Sequence, residues 1–180
     1  MKRLTLGLLI ILTLPGLAQA RMAGSVSAEF KVKATVDSFT GTALSEPFTV
    51  ETDDKLVTVT FDIMKMETGK KKRDVEMQHM FHADEFPMIT GIASQAAILA
   101  LDPEAETAEL PLDVMMHGIT RNVSATVSNF ARSEDEVSFD LAFPLILSEF
   151  DLKPPSIMKI IKVADTVEVS AKVILSNSTD

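Results

Sequence analysis

Strict alternation of apolar and polar residues along most of the chain is the feature that most narrows its fold. Period two puts successive side chains on opposite faces of a strand, so such runs form strands that bury one face. Val26, Ala28, Phe30, Val32, Ala34 and Val36 alternate with Ser25, Ser27, Glu29, Lys31, Lys33 and Thr35. Val57, Val59, Phe61 and Ile63 make a second stripe, and Ala108, Leu110, Leu112, Val114 and Met116 a third. Val123, Ala125 and Val127 follow, then Val137, Phe139, Leu141 and Phe143, then Val167, Val169, Ala171, Val173 and Leu175. Weaker candidates around residues 39–50 and 89–101 bring the total to about eight strands. His117-Gly118, Asp102-Pro103 and Ser133-Glu134-Asp135 read as turns. Strands joined by short turns form an antiparallel meander. Eight of them with one buried face close most simply into a barrel, which removes exposed edges; a two-sheet sandwich is the alternative fold.

Two segments break the alternation. Across residues 71–83 the spacing of Met77, Met80 and Phe81 is helical, which lays a short helix over one side of the barrel. Residues 155–161, opened by Pro154-Pro155, are consistent with a second short helix carrying Ile157, Ile160 and Ile161. There is no internal repeat or linker, so residues 21–180 read as one domain.

Residues 1–20 read as a cleaved signal peptide. Lys2 and Arg3 precede an apolar run from Leu4 to Leu14, and Ala18-Gln19-Ala20 supplies a small-x-small cleavage site. The run is too short for a membrane span, which takes about 20 residues. The expected product is a soluble exported protein beginning at Arg21, periplasmic in a Gram-negative host. The chain has no cysteine. That excludes a thiol nucleophile, a disulfide, Cys-ligated zinc or iron–sulfur sites and a lipidated mature N-terminus. An excess of 26 acidic over 17 basic residues argues against nucleic acid as a partner.

The inward stripes carry no charge and include the small residues Ala28, Ala34, Ala108, Ala125 and Ala171. An eight-stranded barrel either fills with its own side chains or holds one small ligand. Both readings stay open on pattern alone. An enclosed ligand would be apolar, since nothing on these stripes could pair a buried charge. Parity selects Phe30, Val32, Phe61, Ile63, Val114, Phe139, Phe143 and Val169 as its lining, with Met77, Met80 and Phe81 of the helix covering one side.

The densest positive run, Lys70 to Arg73, opens the predicted helix. Lys71, Lys72 and Arg73 are candidates to seat a lipid phosphate or diphosphate at the barrel mouth. The competing reading is a solvated charge run with Arg73 and Asp74 pairing locally. Met77, His79, Met80 and His82 combine thioethers with imidazoles, which suits copper or zinc and gives a second functional class, a periplasmic metal-binding protein. No nucleophile elbow, phosphate-binding loop, dinucleotide fingerprint or paired zinc-histidine motif occurs, so no catalytic residue is assigned. The expected class is a binding protein, not an enzyme.

Several segments also resemble one family. Thr68-Gly69 leading to Arg73-Asp74, then Phe81, Ala83, Phe86 and Pro87, resembles a signature of the YceI-like family. Residues 112–123, with Gly118, Thr120, Arg121 and Val123, are similar to its hairpin. Phe150-Asp151-Leu152, Pro154-Pro155 and Val163 to Val167 are similar to its closing segment. Lys33 and Asp151 stand where relatives often carry His and Gly. The resemblance implies a lipocalin-like antiparallel barrel, exported, that holds a polyisoprenoid or similar amphipathic lipid of quinone or polyprenyl phosphate type. It also implies transient contact with a membrane or a membrane protein, and no cofactor beyond a bound isoprenoid lipid.

Overall fold

The computed structural model describes residues 21–177, apart from residues 36, 52–53, 155 and 158–160. Val36 of the first stripe and the whole leader lie outside the described residues. Among the described residues ten strands form: β1 (Arg21–Ala34), β2 (Phe39–Leu44), β3 (Phe48–Glu51), β4 (Leu56–Asp62), β5 (Met88–Ser94), β6 (Thr107–Met116), β7 (Ile119–Arg132), β8 (Glu136–Ile146), β9 (Ser156–Ile157) and β10 (Ile161–Asn177). Among the described residues two α-helices, α1 (Lys71–Phe81) and α2 (Gln95–Leu99), interrupt them, with 3-10 turns at Ile63–Lys65 and Leu147–Phe150. Eight strands follow one antiparallel path, β2-β1-β10-β8-β7-β6-β5-β4, with β3 paired to β1 and β9 to β10.

The alternation seen in sequence is the alternation seen in burial. Val26, Ala28, Phe30 and Val32 are buried while the residues between them are exposed. Register sets these side chains opposite partners of the same face: Val26 pairs Val173, Phe30 pairs Val169 and Val32 pairs Val167. Burying a side chain of this size contributes about 1.5–3 kcal/mol, so a one-residue slip that exposed a whole stripe is strongly disfavoured.

The sheet curls until its edge strands meet, but not through a ladder. Along the edges of β2 and β4 there are two isolated bridges, Ser45, just after β2, to Phe61 of β4, and Thr42 of β2 to Glu67, which follows β4 and the turn after it. Thr42 and Glu67 exchange both backbone bonds, at 2.7 and 3.0 Å, and the Glu46 amide donates to the Thr60 carbonyl at 2.8 Å. Lys65 meets Glu46 across this seam at 2.6 Å. The Glu46 carboxylate beside it holds the Lys65 ammonium above its usual 10.5.

Several local expectations change. The stretch 39–50 is two strands, broken around Pro47, and both pair with β1. The stretch 89–101 is not one strand: Ser94 ends β5, its hydroxyl accepts the Ala97 amide at 3.4 Å, and Gln95 to Leu99 turn into α2. Ile63 is not a strand residue. Asp62 accepts the Met64 amide at 2.9 Å, which folds Ile63–Lys65 into a 3-10 turn and buries Ile63 completely. The helix expected over 71–83 stops at Phe81, where His82 takes a left-handed φ of 49°. Of the second expected helix, Ser156 and Ile157 pair instead with Lys162 and Ile161 as antiparallel strands, while Pro155 and residues 158–160 lie outside the described residues.

The His117-Gly118 turn is present, with φ of 51° and 72°. Positive φ at both positions is the geometry that two-residue hairpins require. Asn129, at φ 52°, makes a bulge in β7 where the register against β8 shifts between Ser128 and Ala131. The extra residue reverses the parity of that strand. Phe130 therefore comes round to the face of Phe139, with ring centroids 6.0 Å apart.

Candidate functional site

The barrel contains a cavity of about 640 Å³ that is open to solvent, within the range of small-molecule sites. Ten of the eleven lining residues expected from parity and helical spacing border it: Phe30, Val32, Phe61, Met77, Met80, Phe81, Val114, Phe139, Phe143 and Val169. Ile63 does not, because the turn after Asp62 carries it away from the stripe. Ala171 borders the cavity, whereas Ala125 is packed among core residues and does not. Sequence reasoning missed Phe39, Met66 and Ile98. Phe39 begins a weakly patterned strand, Met66 follows the turn and Ile98 sits on α2. None of these belongs to a long stripe that would have marked it.

The charged residues that border the cavity are Asp37, Lys70, Lys72, Arg73 and Glu76, all from the β1–β2 connection or the start of α1. The rest of the lining is apolar apart from Thr68 and Gly91. Helical spacing decides which of the basic run takes part. Lys72, Arg73, Glu76, Met77 and Met80 share the inward face, so Lys71 is turned to solvent and Lys70 lines the cavity in its place.

The local pairing of Arg73 with Asp74, the competing reading of the basic run, is not formed. Asp74 accepts both the Thr68 amide, at 2.8 Å, and the Thr68 hydroxyl, at 2.6 Å. Arg73 instead places its guanidinium 3.8 Å above the centre of the Phe39 ring. Its Nη1 donates to the Thr68 carbonyl at 3.3 Å, and its Nη2 lies 3.7 Å from Asp37 Oδ2. Lys70 Nζ is 3.6 Å from that same oxygen.

The Met77–His82 cluster is divided by the helix. Met77 and Met80 face the cavity, His79 is exposed, and the His82 ring lies 5.2 Å from that of His117. Among the described residues, no group of three or more His, Asp or Glu side chains is placed to hold a metal ion. His117 is a structural fastener: its Nδ1 lies 3.0 Å from the Phe150 carbonyl, and Phe86 packs edge-on at 4.8 Å.

A profile of the YceI-like domain matches residues 18–175. The chain belongs to the YceI-like family. Solved structures with the same fold include a polyisoprenoid binding domain from Saccharophagus degradans implicated in plant cell wall breakdown. It is 13% identical, with a TM-score of 0.64, over 89% of this chain and 99% of that one. BcnA of Burkholderia cenocepacia is 17% identical, with a TM-score of 0.61, over 84% of this chain and 95% of that one. The Campylobacter jejuni YCEI protein is 18% identical, with a TM-score of 0.51, over 83% and 86%. No curated protein sequence matches significantly. The segments whose resemblance pointed to the family mostly brace the YceI-like barrel. Asp74 holds the start of α1, and Phe86, His117 and Phe150 lock a hairpin to the closing segment.

Proposed function

We propose that this YceI-like protein is a non-enzymatic carrier or sequestering protein that holds a polyisoprenoid or similar amphipathic lipid in its barrel. The observation that carries this reading is the polarity of the cavity. About 640 Å³ of apolar interior ends in one charged rim, a shape that suits a long hydrocarbon tail with a polar head. A buried polar ligand would leave its groups unpaired along the apolar stripes, at a cost of several kcal/mol. Met77 and Met80 supply adaptable side chains along a flexible tail. Kinship to a domain described as polyisoprenoid binding supports the same class of ligand.

The leader pattern supports export, with removal after Ala20 and residence in the periplasm. N-terminal sequencing of the mature protein is expected to begin at Arg21, and recovery of intact Met1 in a membrane fraction overturns this.

Native mass spectrometry of protein purified from its own host tests the ligand. A co-purifying lipid of several hundred daltons, released by organic solvent, is the expected result. An empty barrel carrying a stoichiometric copper or zinc ion overturns it.

A further inference from the structure

We propose that Asp37 is an internal counter-ion that holds the head-group position in the empty barrel and yields it to a phosphorylated lipid head. The proposal rests on the lipid-binding reading above and selects, between a neutral quinone head and a phosphate head, the phosphate.

Among the described residues, Asp37, Phe39, Lys70 and Arg73 meet at the charged end of the cavity lining, beside Lys72 and Glu76. Both cations approach one atom, Asp37 Oδ2, at 3.6 and 3.7 Å. These distances exceed the 2.7–2.9 Å of a charge-assisted hydrogen bond, roughly the range in which such pairs become strong. The Asp37 side chain is 65% exposed, so the pairing is weak and open to competition. Arg73 is different. Its side chain is only 22% exposed, and the Phe39 ring beneath and the Thr68 carbonyl beside it fix its plane.

A planar guanidinium held in place, with donors left over from one carbonyl bond, is suited to bidentate contact with phosphate oxygens. The lipid tail would run inward from Phe39 while the phosphate displaced Asp37 from Arg73 and Lys70. A neutral head has no charge with which to compete for those two cations. Asp37 thereby lowers affinity for anionic heads in general and admits those that bring several acceptor oxygens at once.

Binding isotherms with radiolabelled polyprenyl monophosphate and the polyprenol of equal chain length, in one non-ionic detergent, test this on the mature protein. The wild type is expected to prefer the phosphate. Asp37→Asn should tighten phosphate binding by roughly two- to fivefold and leave the alcohol unchanged. Arg73→Gln should weaken the phosphate by roughly tenfold or more and abolish the preference. If Asp37→Asn moves both ligands alike or neither, the counter-ion role is overturned while the lipid-binding reading stands. A wild type that takes up neither ligand overturns both. Asp37 is exposed and outside the core, so its variant keeps the experiment decisive even if Arg73→Gln fails to fold.

Discussion

The ring of Phe30 lies directly over Gly41, its register partner on the neighbouring strand. A Cβ at Gly41 would stand 2.1 Å from Phe30 Cζ, far inside contact distance. The glycine is what lets Phe30 lie against the sheet wall rather than across the lumen. Gly24 is covered by Phe48 in the same way, with a Cβ 2.2 Å from the ring, but Phe48 does not border the cavity. Gly41→Ala should therefore push Phe30 inward and reduce lipid uptake as well as lower the melting temperature. Gly24→Ala should cost comparable stability, about 1–3 kcal/mol, with lipid uptake retained. Thermal melts beside lipid titrations on both variants separate the two effects.

Ala171 and Ala125 make a second contrasting pair. Ala171 borders the cavity, and Ala125 is fully buried away from it. Phenylalanine at 171 has empty space to occupy and should block the ligand with little loss of stability. At 125 it meets packed neighbours and should cost about 1–3 kcal/mol or more. A lumen-filling variant that still bound lipid would place the ligand elsewhere.

What was legible in the sequence was the set of stripes, because a half-buried strand forces its pattern on every second residue. Phe30, Val114, Phe139 and Val169 could be assigned to the lumen from parity alone. What was not legible were the points where one backbone hydrogen bond or dihedral changes direction. Asp62 accepting the Met64 amide removed Ile63 from its stripe, and a left-handed Asn129 brought Phe130 to the inward face. Short polar residues do this in a single step, leaving no periodic trace. The charged rim was half legible. The basic run was visible, but Asp37 belongs to a loop more than thirty residues earlier, and only the curl of the sheet brings it to Arg73.

Glu168 shows how the outer surface should respond to acid. Lys33 donates to its carboxylate at 2.6 Å, and Lys31 is its register partner. The hydrogen bond from Lys33 is the main cause that holds the Glu168 carboxyl below its usual 4.5. A depressed folded value means the contribution is present above 4.5 and is lost as pH falls and the folded carboxyl takes its proton. Because the pair is exposed, the effect is small. Lys33→Ala should melt slightly below the wild type at pH 7, with the gap closing as the pH is lowered well below 4.5. The gap should also shrink in 1 M salt, where the screening length is about 3 Å. A gap unchanged by both treatments would assign Lys33 a packing role instead.

The seam between β2 and β4 is where the barrel should be strengthened most by a single covalent link. Thr42 and Glu67 exchange both backbone hydrogen bonds, and both side chains are exposed. Such a narrow antiparallel pair has its Cα atoms about 5.5 Å apart, inside the range of about 4.4–6.8 Å that a disulfide spans. The chain contains no cysteine, so Thr42→Cys with Glu67→Cys introduces one defined bond. Closing the loop between these positions should stabilise the protein by about 3 kcal/mol through the unfolded chain. For a protein of this size that corresponds to a rise in melting temperature of about 6–12 °C, reversed by reductant. The β1–β10 ladder runs without a break from Met22 to Val32, so a link placed between those two strands should add less to native-state protection near the opening. Hydrogen exchange makes the comparison direct. The amides of Thr42, Glu46 and Glu67 should exchange faster than those in the middle of β1 in the reduced protein, and slow selectively on oxidation. If the oxidised protein melts no higher and these amides are already as protected as those of β1, the seam is as firm as the rest of the wall.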